Sequence, residues 1–223
     1  MSRHTLPADI ERTSMRIISE ELEQSGIQIP EEHRAVVHRV IHTTADFEYA
    51  KNLYFTERAV EQGMSALRNG VPIVTDTNMT RAGVSKPALS KFGGTVSCYM
   101  ADPAIAELAK KEGTTRAVAS MTYAASQHPN AVFAVGNAPT ALFRLCELIE
   151  DGLRPSLIIA VPVGFVNVTE SKRELISVCE RYDLPAIASM GRKGGSTVAA
   201  AVCNALLYSA ADLLDPSARG WQG

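Results

Sequence analysis

This 223-residue chain carries no net basic field: 22 Lys and Arg stand against 24 Asp and Glu, a formal charge of -2. Nucleic acid and anionic membrane surfaces are therefore not expected partners, since clustered positive charge is what holds both. The four cysteines, Cys98, Cys146, Cys179 and Cys203, form no CxxC pair, and each sits in an apolar run. They read as buried thiols in a reducing compartment, and no zinc site is expected from them. The opening residues MSRHTLPADIERTS lack the apolar stretch of a secretion signal, so a cytoplasmic protein is expected. Repeats, low-complexity tracts and long Gly/Ser/Pro linkers are missing too. One domain over residues 1–223 is the simplest organisation.

Cofactor loops are also absent. No strand is followed by GxGxxG, and neither a P-loop, a GxSxG elbow nor HExxH occurs. Dinucleotide, P-loop nucleotide, serine-hydrolase and zincin chemistry thus lack support.

What the chain does have is a series of short apolar runs: VPIVT (71–75), TVSCYM (95–100), AVFAV (131–135), SLIIAVPV (156–163) and PAIASM (185–190). The last three are apolar almost throughout, as strands covered on both faces should be. Amphipathic helical patterns lie between the runs. The expected fold is α/β, a three-layer α/β/α arrangement with a mainly parallel sheet of about five strands. Two helices, about 9–25 and 31–44, precede the sheet. The tail DPSARGWQG, from about residue 215, is polar and reads as loose, with Trp221 either packed back or free. The uncharged stretch GGSTVAAAVCNALLYSAA (194–211) approaches membrane-spanning length. Its alanines, with Ser196, Thr197, Asn204 and Ser209, fit a helix packed inside the protein or at a subunit contact better than one in lipid.

Ligands of open parallel sheets bind at the carboxyl ends of strands, where loops lead into helix N-termini. Three junctions qualify: GNAPTALF after the third run, PVGFVNVTESK after the fourth and GRKGGSTV after the fifth. Asn137 can cap a helix, and Pro139 suits a first helical turn. Arg116, Lys172, Arg192 and Lys193 add positive charge near such helix starts, which themselves attract anions. Together they suggest a ligand with several carboxylates or phosphates. The plainer reading is that glycine and asparagine at these turns serve backbone geometry alone.

In EEHRAVVHRVIHTTADF, Val36, Val37, Val40 and Ile41 form a helical apolar stripe, and His42 follows them with Thr43, Thr44 and Asp46. Three readings stand. His38, His42 and Asp46 at i, i+4 and i+8 are conceivable metal ligands. His42 alone is a hydrogen-bonded core histidine. Or the hydroxyls and carboxylate after it fix the tautomer and raise the protonated fraction, as a general acid requires.

RVIHTTADF (39–47), TDTNMTRAGVSK (75–86), FGGTVSCYMADP (92–103), GTTRAVA (113–119), GNAPTALFRL (136–145), VPVGFVNVTESK (161–172) and GRKGGSTVAAAVCNALLY (191–208) resemble the precorrin-8X methylmutase family of corrin biosynthesis. The blocks run in order from about residue 10 to 208, and RVIHTTADF and GRKGGS are closest to its anaerobic, cobalt-precorrin-8 branch. The resemblance implies a homodimeric enzyme that moves a methyl group from ring carbon 11 to ring carbon 12 of a tetrapyrrole, with the histidine matching His42 as acid. It also implies substrate contacts at Ser14, Ser85 and Arg116; Thr43, Asn137, Arg192 and Lys193 join them as candidates from their positions. No metal site and no cofactor are expected, any cobalt arriving within the substrate. At Asn167-Val168 the chain departs from the family, which more often has two small residues there. A corrinoid carrier of the same fold, and an α/β enzyme acting on a phosphorylated metabolite, are the alternatives.

Overall fold

Three strands are buried at every position: Val132–Val135, Leu157–Ala160 and Ala186–Ser189. Their side chains alternate between two cores. Val132, Ala134, Leu157 and Ile159 enter one cluster, and Phe133, Val135, Ile158 and Ala160 enter the other. Such a double burial is what continuous apolar runs produce when helices cover both sheet faces. The computed structural model describes residues 6–220.

The six strands are β1 (Leu53–Phe55), β2 (Ile73–Thr75), β3 (Val96–Ser97), β4 (Val132–Val135), β5 (Leu157–Ala160) and β6 (Ala186–Ser189), in the order β1-β6-β5-β4-β2-β3. All neighbours are parallel except β1, which pairs antiparallel with β6 in the register Leu53 to Ser189. The five apolar runs all contribute strands, although TVSCYM supplies only two residues. The sixth strand, β1, is the difference from the expected sheet. It is three residues long and lies on an edge, too short for a periodic signal.

The helices are α1 (Pro7–Gln24), α2 (Glu31–Thr44), α3 (Tyr49–Asn52), α4 (Ala59–Arg68), α5 (Asn78–Gly83), α6 (Lys86–Ser90), α7 (Pro103–Glu112), α8 (Arg116–Gln127), α9 (Pro139–Glu150), α10 (Val168–Arg181) and α11 (Ser196–Ala210). α1, α2, α4 and α11 build one outer layer, and α8, α9 and α10 build the other. The architecture is three-layer α/β/α.

The Ala-rich α11 is interior to the protomer, against α2, α4 and the sheet, and residues 198–203 and 205–207 are buried there. Its small side chains allow that close packing. No described helix is long and apolar enough to cross a membrane. The tail also differs from its loose reading. A 3-10 turn at Pro216–Arg219 is tied down where Arg12 pairs with Asp215 at 2.8 Å and Arg219 with Glu11 at 2.6 Å. Trp221 lies outside the described residues.

Candidate active site

His42 stands exposed in the last turn of α2, which ends at Ala45 with a left-handed φ of 51° and an N–H bond to the Ile41 carbonyl. The stripe Val36, Val37, Val40 and Ile41 is fully committed to the core, so the imidazole on the next position turns outward. It is not a core histidine. The polar run after it does not serve it either. Thr43 donates to the Arg39 carbonyl at 2.8 Å, Thr44 to the Val40 carbonyl at 2.9 Å, and Asp46 takes Lys193 Nζ at 2.5 Å. None of these groups bonds to the ring.

Its protonation follows from the surroundings. Partial desolvation first, and then the Arg39 charge one turn earlier, hold the His42 pKa below the ordinary histidine value, with Glu11 pulling the other way. This reverses the expected gain in protonated fraction. Beside it Glu11 is buried between Arg39 at 2.7 Å and Arg219 at 2.6 Å. Burial pushes the Glu11 carboxyl up, but Arg219 and Arg39 outweigh it and keep it below its usual range. Both guanidinium groups also lie over the Tyr208 ring, 5.2 and 4.6 Å from its centre.

Asp46 joins this end of α2 to the loop after β6. Lys193 Nζ reaches Asp46 at 2.5 Å and Glu48 at 2.9 Å, and each partner favours the charged form of the lysine. The conceivable His38/His42/Asp46 metal set is not formed, because Asp46 lies beyond the helix end and is paired with lysine. Among the described residues no group of three His, Cys, Asp or Glu is arranged for a metal. Burial pushes Cys146, Cys179 and Cys203 up to about 12, so none is a thiolate nucleophile near neutral pH. Cys98, half-buried, departs from the fully buried reading.

Two sequence expectations about anion binding need correction. The sequence predicts that helix α9 offers its N-terminal amides to a ligand, but buried Asp76, just after β2, accepts the N–H groups of Gly136, Asn137 and Ala138, each at 2.8 Å. The crevice between β2 and β4, where strand order reverses, is thereby closed by the protein's own carboxylate. Ala138, not Asn137, is the cap residue of α9, and the Asn137 side chain is exposed. Lys172 likewise does not face a ligand. It is fully buried, and Nζ donates to the carbonyls of Gly191 at 2.9 Å and Lys193 at 2.8 Å. A long side chain at a helix start reads as surface charge in sequence; only the fold shows this one pointing inward.

The remaining candidates fall in three places. Arg116 opens α8, whose cap Thr115 lies 3.3 Å from Thr140 at the start of α9, so Arg116 and Asn137 share the carboxyl rim of the sheet. Arg192 and Lys193 stand on that rim as well, after β6. Ser85, the cap of α6, lies against α11: its N–H donates to Asn204 at 2.8 Å, and it lines a cavity of about 280 Å³ with Tyr208, Lys91 and Arg219. Ser14 is half-buried on α1 and bonds to the Ile10 carbonyl at 2.9 Å. Arg39 and Arg219 connect the Ser85 cavity to the His42 turn; no bond joins Ser14, Ser85 or Arg116 to His42 itself among the described residues.

Residues 9–209 match the model of the family described as precorrin-8X methylmutase. The chain belongs to that family. The cobalt-precorrin-8 methylmutase of Salmonella typhimurium is 44% identical over 206 residues, covering 91% of this chain and 95% of the relative. A precorrin-8X methylmutase from Sinorhizobium is 36% identical over 194 residues, covering 86% and 90%. The solved precorrin-8x methyl mutase of Thermus thermophilus superposes with a TM-score of 0.83 at 40% identity, covering 92% of this chain and 96% of that one. The family match ends before the 3-10 turn, so Arg219 lies beyond it.

Proposed function

We propose that this chain is an intramolecular methyltransferase of corrin biosynthesis, an isomerase that moves the methyl on ring carbon 11 of a precorrin-8 macrocycle to ring carbon 12. The observation that carries this is the family match over almost the whole chain, with relatives named for that reaction on both the cobalt and the metal-free side. One carbon–carbon bond breaks and one forms, so no atom enters or leaves. The chain's own task is to bind a flat polycarboxylate, orient it and manage a proton.

In this reading His42, exposed at the end of α2, lends a proton to the macrocycle, the methyl shifts on the protonated ring, and the neutral imidazole takes a proton back as the product forms, so the acid is regenerated and no proton is gained or lost overall. Arg116, Arg192 and Lys193 on the sheet rim, and Ser85 by Arg219, supply contacts for rim carboxylates. No cofactor is required, cobalt being part of the substrate where present. The active form is a cytoplasmic homodimer. A phosphorylated metabolite is the weaker alternative, since the α9 amides that would take a phosphate already hold Asp76.

The test is absorbance-monitored conversion of precorrin-8, with and without cobalt, by the purified protein. Rearrangement to the corresponding cobyrinic acid is expected. Stoichiometric binding without conversion would identify a carrier instead, and failure to bind either ring would discard the corrinoid reading.

A further inference from the structure

Phe165 and Val166 are 83% and 76% exposed, the most exposed large apolar side chains among the described residues. They form the tip of the loop between β5 and α10, at the carboxyl end of the sheet. The loop is held firmly from below. Gly164 donates to the Arg192 carbonyl at 3.3 Å, and Gly194 passes so close that a Cβ there would lie 2.1 Å from the Val161 oxygen. Lys172 binds the carbonyls on either side of Arg192. Arg192 in turn places its guanidinium 5.5 Å from the Phe165 ring centre, and no described acidic side chain pairs with it.

Adjacent exposed aromatic and aliphatic side chains at a loop tip leave apolar surface in water, which a ligand that covers it removes. The three apolar side chains, Val163 included, stand beside the Arg192 guanidinium, so a small planar occupant that is apolar on one face and anionic at its edge matches both features. The geometry points to a ligand platform: Phe165 and Val166 cover one face of the macrocycle while Arg192 takes a carboxylate on its rim. This rests on the corrinoid reading above and adds the surface on which the ring lies. Lys172 is a positioning residue for it, fixing the backbone that aims Arg192. Asn167, at a left-handed φ of 57°, turns the chain from the platform into α10.

Phe165→Ala and Phe165→Trp are compared with wild type by absorbance titration with cobyrinic acid, alongside sedimentation velocity. With most of its ring in solvent, Phe165 is dispensable for folding, and thermal melts should confirm that. Phe165→Ala is expected to weaken binding about tenfold or more, from the loss of apolar contact. Phe165→Trp should bind like wild type, with the oligomeric state unchanged in both. Equal affinity of Phe165→Ala and wild type would overturn the platform while leaving the corrinoid reading intact. Dissociation of the protein by Phe165→Ala, with ring binding following protein concentration, would overturn it in favour of a contact between copies. Failure of wild type itself to bind cobyrinic acid would remove both.

Discussion

Lys172 Nζ lies 2.8 Å from the carbonyl oxygen of Lys193, in a site with no exposure to water and no carboxylate partner. Among the described residues its only other hydrogen bond is to the Gly191 carbonyl. An ammonium so placed is tolerated because it fixes the GRKGG loop, and burial pushes its pKa down from 10.5 to about 8. Between those two values the unfolded chain binds more protons than the native one, so native stability rises with pH across that window. The full rise is on the order of 3 kcal/mol. Urea melts of wild type and Lys172→Met at pH 7.5 and pH 10 test this. Wild type should gain on the variant at the higher pH, and a constant difference would mean that the amine titrates normally.

Asp76, just after β2, stabilises by capping α9. Its Oδ1 accepts from Gly136, and its Oδ2 accepts from both Asn137 and Ala138. Replacement by alanine leaves three amides without their acceptor, at a cost of about 3 kcal/mol or more. Asparagine can keep its oxygen on Asn137 and Ala138 while losing only the Gly136 bond. Denaturant midpoints should therefore rank wild type above Asp76→Asn and that above Asp76→Ala; equal stability of all three would remove Asp76 as the cap.

The contrast between Asp76 and the central strands shows where sequence reading succeeds. AVFAV, SLIIAVPV and PAIASM are legible because burial on both faces leaves no polar position, a property of the local pattern. Helix α2 is legible from a different local pattern, the one-faced spacing of Val36, Val37, Val40 and Ile41. Asp76 and Lys172 are not, because each acts on backbone brought close only by the sheet order β4-β2 or by the packing of α10 under the β6 loop. Their identities mark them as polar residues near strand ends, and nothing local says whether they face ligand or protein. The place of His42 at a helix end is legible from the stripe before it, yet its electrostatics are the reverse of the expectation. Thr43, Thr44 and Asp46 look like its partners in sequence, whereas the helix carbonyls and Lys193 claim them in space.

That reversal sets the pH behaviour expected of the enzyme. With the His42 pKa held below the ordinary histidine value by desolvation and Arg39, the free enzyme carries a mostly neutral imidazole at pH 7. If the protonated ring is the acid, kcat/KM falls as pH rises through a value below 6.5, since that ratio reports the free enzyme. A bound polycarboxylate offsets the Arg39 charge, so the corresponding limb of kcat lies at higher pH. Glu11→Gln removes the one neighbour that favours the charged ring and should shift the kcat/KM limb further down. His42→Ala should keep the melting temperature and cobyrinic acid binding while losing about two to four powers of ten in turnover. A pH–rate series on the three proteins, with an NMR titration of the His42 ring, decides the matter. Turnover that is independent of pH between about 5 and 8, or retained in His42→Ala, would take the proton-donor role away from His42 and leave catalysis to orientation of the macrocycle alone.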